Sequence, residues 1–142
     1  MFQVDFDPQA LSYEELLRLI WANRRGGRSF SRQYQEAVFC ADAVQEATAR
    51  RLGINAPIIV GARFHLAEDY HQKYYLRHDR LLLAEFADHT PGAFLDSTVA
   101  ARLNGYLAGY GALAQLRAEL PRLGLSEAAA MHLERVVAAR AS

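Results

Sequence analysis

The chain has 142 residues, 51% of them apolar, with sixteen basic side chains against sixteen acidic ones and a single cysteine. That is enough apolar material for one domain's core, and it argues against global disorder. Balanced charge removes any general attraction to nucleic acid or an anionic membrane, and one cysteine cannot close an internal disulfide.

The N-terminal residues MFQVDFDPQALSYEE are acidic where a secretory signal would be basic and then apolar. No apolar run approaches the ~20 residues of a membrane span. A cytoplasmic protein with no membrane and no nucleic-acid partner is therefore expected. The short basic group Arg24, Arg25, Arg28 and Arg32 reads as a solvated loop.

Phe2, Val4 and Phe6 alternate with polar residues, which predicts a half-buried strand ended by Asp7-Pro8. Ser12 and Glu15 have the spacing of a capping box, opening an amphipathic helix from Tyr13 to about Asn23. RRGGRSFSRQ reads as a loop and Tyr34 to Cys40 as a second strand. Asp42 and Gln45 suggest another cap, for a helix of about ten residues that stops at Gly53. Ala56 to Val60 reads as a short buried strand. From Glu68 the pattern is helical and rich in aromatic and ionisable side chains. After Asp88 three helices are expected, in STVAARLNGYLAGYG, ALAQLRAELPRLG and SEAAAMHLERVVAARA, with Pro121, Gly124 and Ser126 separating the later two. A sheet of about three strands needs its edges covered by these helices or by a second copy, so a homo-oligomer is expected.

The densest candidate for chemistry is AEDYHQKYY, residues 67–75. On a continuous helix His71 and Tyr74, three apart, would share a face. An imidazole exchanges protons near neutral pH and a phenol can orient a ligand oxygen. The competing reading makes these aromatics core residues with satisfied polar tips. His65, Asp69, His71 and His78 lack the spacing of a zinc helix, so neither a metal nor a cofactor is expected. Cys40, at a strand end, reads as a small buried hydrophobe rather than a nucleophile.

Three segments carry a family resemblance. FQVDFDPQALSYEELLRLIWAN, RQYQEAVFCADAVQEATA and FHLAEDYHQKYYL resemble, in order, segments of the class A peptide methionine sulfoxide reductases. DSTVAARLNGYLAGYG is similar to a C-terminal extension of longer members. The resemblance implies an α+β fold: a remnant of a ferredoxin-like core over residues 1–86, followed by a helical extension over 87–142 packed on it as one compact unit.

That family reduces the S epimer of methionine sulfoxide through a cysteine thiolate and a sulfenic acid, with thioredoxin restoring the thiol. Its nucleophile lies in a G-C-F-W-G motif and its proton donor in a G-H-A-E segment. Both fall upstream of the matched region, and neither motif occurs in these residues. Departures continue: Ser29 stands where the family has Asp, Gln35 where it has Arg, and Arg24 near its helix His. Positions that carry over are Gln33, Tyr34, Glu68, Asp69, Tyr70, His71, Gln72 and Tyr74. Of these, Tyr34, Asp69, His71 and Tyr74 match residues that form or support the family's substrate pocket, with His71 the one candidate for catalysis.

The expected function follows: a degenerate or repurposed reductase relative without the catalytic cysteine, binding a methionine sulfoxide-like small molecule or a protein partner. The alternatives are an enzyme of other acid/base chemistry using His71, Tyr34 and Tyr74, or one half of a split reductase. The missing layer would expose several hundred Å² of apolar surface, costing on the order of 10 kcal/mol unless something covers it.

Overall fold

A computed structural model describes residues 3–24 and 36–140. The chain divides into two compact units, Met1–His65 and Leu66–Ser142. The described residues form eight α-helices and one small parallel sheet, a mixed α/β fold.

In the first unit Asp7 turns the chain by receiving the N–H groups of Ala10 and Leu11 on its carbonyl. Helix α1 (Tyr13–Asn23) then starts at the capping box: Ser12 Oγ accepts the Glu15 N–H at 3.3 Å and the Glu15 carboxylate accepts the Ser12 N–H at 2.9 Å. Strand β1 (Val38–Cys40) pairs in parallel with β2 (Ile58–Val60), Phe39 opposite Ile59. Parallel pairing needs a crossover, which α2 (Ala43–Arg51) supplies. Asp42 caps α2 by accepting the Gln45 N–H at 2.8 Å. Gln45 returns its Oε1 to the Ala41 N–H rather than to that of Asp42, one residue off a capping box. Gly53, at φ 64°, ends the turn after α2 as expected. Leu17, Val38, Cys40 and Ala49 form the small core, with Trp21, Ile54 and Ile58 packed on it.

Two strand expectations are corrected. Residues 3–7 alternate as a strand would but belong to none, because neither β1 nor β2 extends a ladder to them; Phe2 lies outside the described residues. The apolar run Ala56–Val60 is not buried: Ile59 is 39% exposed and Val60 42%. An apolar run signals burial on both faces only when both are covered, and here the core packs on one. The basic loop and Gln33, Tyr34 and Gln35 also fall outside the described residues, apart from Arg24.

The second unit is helical. After a 3₁₀ turn (Asp69–His71) come α3 (Tyr74–Arg77), α4 (Arg80–Ala84), α5 (Pro91–Asp96), α6 (Thr98–Leu107), α7 (Leu113–Leu123) and α8 (Glu127–Arg140). Helix α8 packs against α4, α6 and α7, and α3 against α4 and α6. The core holds five fully buried leucines, Leu76, Leu82, Leu103, Leu116 and Leu133. Glu85 accepts both the N–H and the hydroxyl of Ser126, at 2.8 and 2.7 Å, and His132 Nε2 lies 2.7 Å from Asp79 Oδ2. These two clasps make α4 and α8 antiparallel.

The three late helices fall where the sequence puts them, with one correction. Pro121 does not separate helices; it sits inside α7, whose end is set by Gly124 at φ 64°. A proline this close to the terminus removes one N–H without stopping the helix. No atom lies within 4 Å of a Cβ built on Gly124, so Gly124→Ala meets only the left-handed backbone penalty. We expect a loss of about 1 kcal/mol, read from the urea midpoint at unchanged m-value.

Candidate functional site

The strip Leu66–His78 begins the second unit and holds the residues expected to do chemistry. A continuous helix is not what forms. The His71 N–H bonds to the Glu68 carbonyl and the Gln72 N–H to that of Asp69, giving one 3₁₀ turn. Lys73 then takes φ 52°, ψ 45°, the left-handed region, before α3 starts. For a residue with a Cβ that conformation costs about 1–2 kcal/mol. Arg77 Nε donates to the Gln72 carbonyl at 2.8 Å, closing the turn from behind. Burial lowers the pKa of the Lys73 ammonium from its ordinary value, and the Asp96 carboxylate offsets part of that effect.

The break separates His71 from Tyr74, so the helical spacing that would have placed them together does not apply. The His71 ring packs on Tyr70, centroids 4.2 Å apart. Tyr74 packs instead on His78 at 4.2 Å and edge-on to Tyr75 at 5.5 Å. His78 Nδ1 lies 2.7 Å from the Tyr74 carbonyl oxygen. A carbonyl only accepts, so Nδ1 is the donor in this bond. Asp69 sits in the 3₁₀ turn, exposed. Tyr34 lies outside the described residues.

These aromatics are not core. Tyr70 is 62% exposed, Tyr74 50% and Tyr75 47%. The strip is an open surface of three phenols and two imidazoles. One cavity, of about 360 Å³, is lined in the first unit by Leu17, Trp21, Arg24 and Ile54, and a second, of about 150 Å³, by Tyr106, Gly111 and Arg140 in the second. Neither is lined by Asp69, His71 or Tyr74. Among the described residues no group of three or more His, Cys, Asp or Glu side chains could hold a metal ion. No described helix is long and apolar enough to cross a membrane.

Cys40 is 3% exposed, with its Sγ 3.6 Å from the Tyr13 hydroxyl. Burial, the bond to Cys40 and the nearby Asp42 carboxylate push the Tyr13 hydroxyl above its ordinary value, so it stays a neutral phenol. Sequence reasoning missed Asn104, whose side chain reaches α3 from α6. Its Oδ1 accepts the N–H groups of Tyr75 at 2.9 Å and Leu76 at 3.2 Å. No local pattern announces a cap delivered from 29 residues away.

Comparison with known proteins bears on this strip directly. A family model described as "Peptide methionine sulfoxide reductase" matches residues 1–90. A second, "Selenoprotein methionine sulfoxide reductase A, helical domain", matches residues 94–136. A peptide methionine sulfoxide reductase of Drosophila melanogaster is 34% identical over 139 residues, covering 89% of this chain and 56% of its own length. Peptide methionine sulfoxide reductase A5 of rice (Oryza sativa subsp. japonica) is 29% identical over 123 residues, covering 75% of this chain and 48% of its own. The mitochondrial enzyme of Mus musculus is 35% identical over 92 residues, covering 51% and 40%. The chain thus spans about half the length of the curated relatives it matches. With a reductase model over residues 1–90 and a reductase helical-domain model over residues 94–136, the chain belongs to the peptide methionine sulfoxide reductase family.

Proposed function

We propose that these 142 residues form a reductase-related binding module that recognises methionine sulfoxide or a similar small molecule, and that they do not reduce it unaided. The observation that carries this reading is the state of the one thiol. Reduction needs a thiolate that can reach the sulfoxide sulfur. Cys40 is buried against a neutral phenol, and no other cysteine occurs in these residues. The strip Asp69–Tyr74 keeps residues that the resemblance matches to the family's pocket, Asp69, His71 and Tyr74. His71 and Tyr74 would each donate a hydrogen bond to a different oxygen of the ligand, and Asp69 would orient a neighbour. We propose, further, a functional boundary near residue 86, supported by the two family models, which end at residue 90 and begin at residue 94.

A thioredoxin-coupled assay with an acetylated methionine S-sulfoxide amide should give no turnover, with or without Cys40→Ser. NMR titration with the same compound should perturb His71 and Tyr74. His71→Ala and Tyr74→Phe should each weaken binding by about five- to a hundredfold, the usual range for one lost hydrogen bond. Turnover that Cys40→Ser abolishes would overturn the proposal. A second reading is favoured by the chain's share of its relatives' length: the module works with a polypeptide that carries the thiol. Activity restored by adding a fragment with a G-C-F-W-G motif would establish it.

A further inference from the structure

We propose that Asn104, on α6, is a positioning residue that holds the reductase strip in shape from within the helical extension. For its ligand the inference rests on the function proposed above; for its geometry it does not. Helix α3 is preceded by Lys73, whose side chain makes no capping bond and whose backbone is left-handed. An N-cap side chain ordinarily satisfies the N–H groups of the second and third helical residues. In α3 those residues are Tyr75 and Leu76, the two whose N–H groups bond to Asn104 Oδ1. Asn104 is therefore the cap of α3, supplied across the fold rather than by the preceding residue.

The consequence reaches the exposed rings. Leu76 is fully buried and fixed, while Tyr74 and Tyr75 precede it on the surface and Tyr74 supports His78. With the cap in place, the left-handed turn at Lys73 has a hydrogen-bonded helix start on its far side. Without it, two N–H groups lose their partner and nothing from α6 holds the start of α3, so the Tyr74, Tyr75 and His78 rings lose their fixed placement. The extension meets the same turn once more: the Arg77 guanidinium, whose Nε donates to the Gln72 carbonyl, lies 4.9 Å from the centre of the Phe94 ring. Two residues of the sequence matched by the helical-domain model, Asn104 and Phe94, thus contact a turn of the sequence matched by the reductase model.

The test compares Asn104→Asp, which keeps an acceptor, with Asn104→Leu, which removes it at similar size. Gly124→Ala serves as a control that lowers stability at a site away from the strip. The readouts are the NMR signals of the Tyr74, Tyr75 and His78 rings and affinity for the acetylated methionine sulfoxide amide, all well below the melting temperature. Asn104→Leu should move the ring signals and weaken binding by about tenfold. Asn104→Asp should restore both, and Gly124→Ala should leave both unchanged. Wild-type ring signals in Asn104→Leu, or equal effects of Leu and Asp, would overturn the proposal. If the wild type binds no sulfoxide, the function proposed above fails, and the ring signals alone decide the role of Asn104.

Discussion

Leu103→Ala should lower the stability of the helical unit by about 2–5 kcal/mol, the range for truncating a fully buried leucine that its surroundings cannot replace. Leu103 is 0% exposed and lies on α6, which packs against both α3 and α8. Leu76, Leu82, Leu116 and Leu133 belong to the same cluster and are equally buried. The cavity left by three lost carbons would be lined by helices already held at several points, which limits collapse. A loss of that size is a large fraction of the total stability of a typical domain, about 5–15 kcal/mol. Helical circular dichroism in urea reads it. Trp21, the single tryptophan, lies in the other unit, so its fluorescence gives a separate record. Leu19→Ala, at a position 58% exposed, should cost under about 0.5 kcal/mol. A Leu103→Ala effect as small as that would mean that the helices do not share a close-packed core.

Asp79→Ala should cost about 2–3 kcal/mol, because one carboxylate serves two purposes. It caps α4, accepting the Leu82 N–H at 3.1 Å, and it binds His132 Nε2 of α8 at 2.7 Å. A lost N-cap accounts for about 1 kcal/mol, and a partly buried charge-assisted bond for about 1–2 more. Burial opposes the charge on Asp79, but the bonds from His132 and Leu82 outweigh it and hold the carboxyl below its ordinary value. The sign follows. A carboxyl whose folded pKa is depressed stabilises the fold above its ordinary pKa, and that contribution disappears as pH falls through the folded value. Wild type should therefore lose stability more steeply than Asp79→Asn on acidification below about pH 4. Asparagine keeps an acceptor for the cap but has no charge to lose. Parallel acid profiles for the two proteins would remove Asp79 from the pH response.

Much of the fold is legible in local chemistry. Ser12 with Glu15, Asp42 and Gly53 each act within four residues of their own position, and the helices they bound form where expected. The three late helices are equally plain because apolar spacing and Gly124 agree. Two shorter helices carry local signals of the same kind: Asp79 caps α4, and Thr90-Pro91 caps and opens α5. What local chemistry could not reveal depends on distant partners. AEDYHQKYY has helical composition, yet the chain turns at Lys73, where the following helix start is capped by Asn104 of α6. Residues 3–7 alternate like a strand, and whether such a segment pairs depends on a neighbour that its own sequence does not encode. At the candidate site, residue identities were legible through the family motif, while their neighbours were not: His71 keeps company with Tyr70, and Tyr74 with His78.

The larger core bears on how members of this family can be recombined. Its leucines come from both sides of the point where one matched sequence ends and the other begins, Leu76 and Leu82 before residue 90 and Leu103, Leu116 and Leu133 after residue 94. A chimera spliced at that point would join half a core from one parent to half from another, with the Asp79–His132 and Glu85–Ser126 clasps split between parents. Splicing at His65–Leu66 would transfer the leucines and both clasps as an inherited set. Homologous exchange of the helical extension should therefore tolerate crossovers at the second point and select against them at the first.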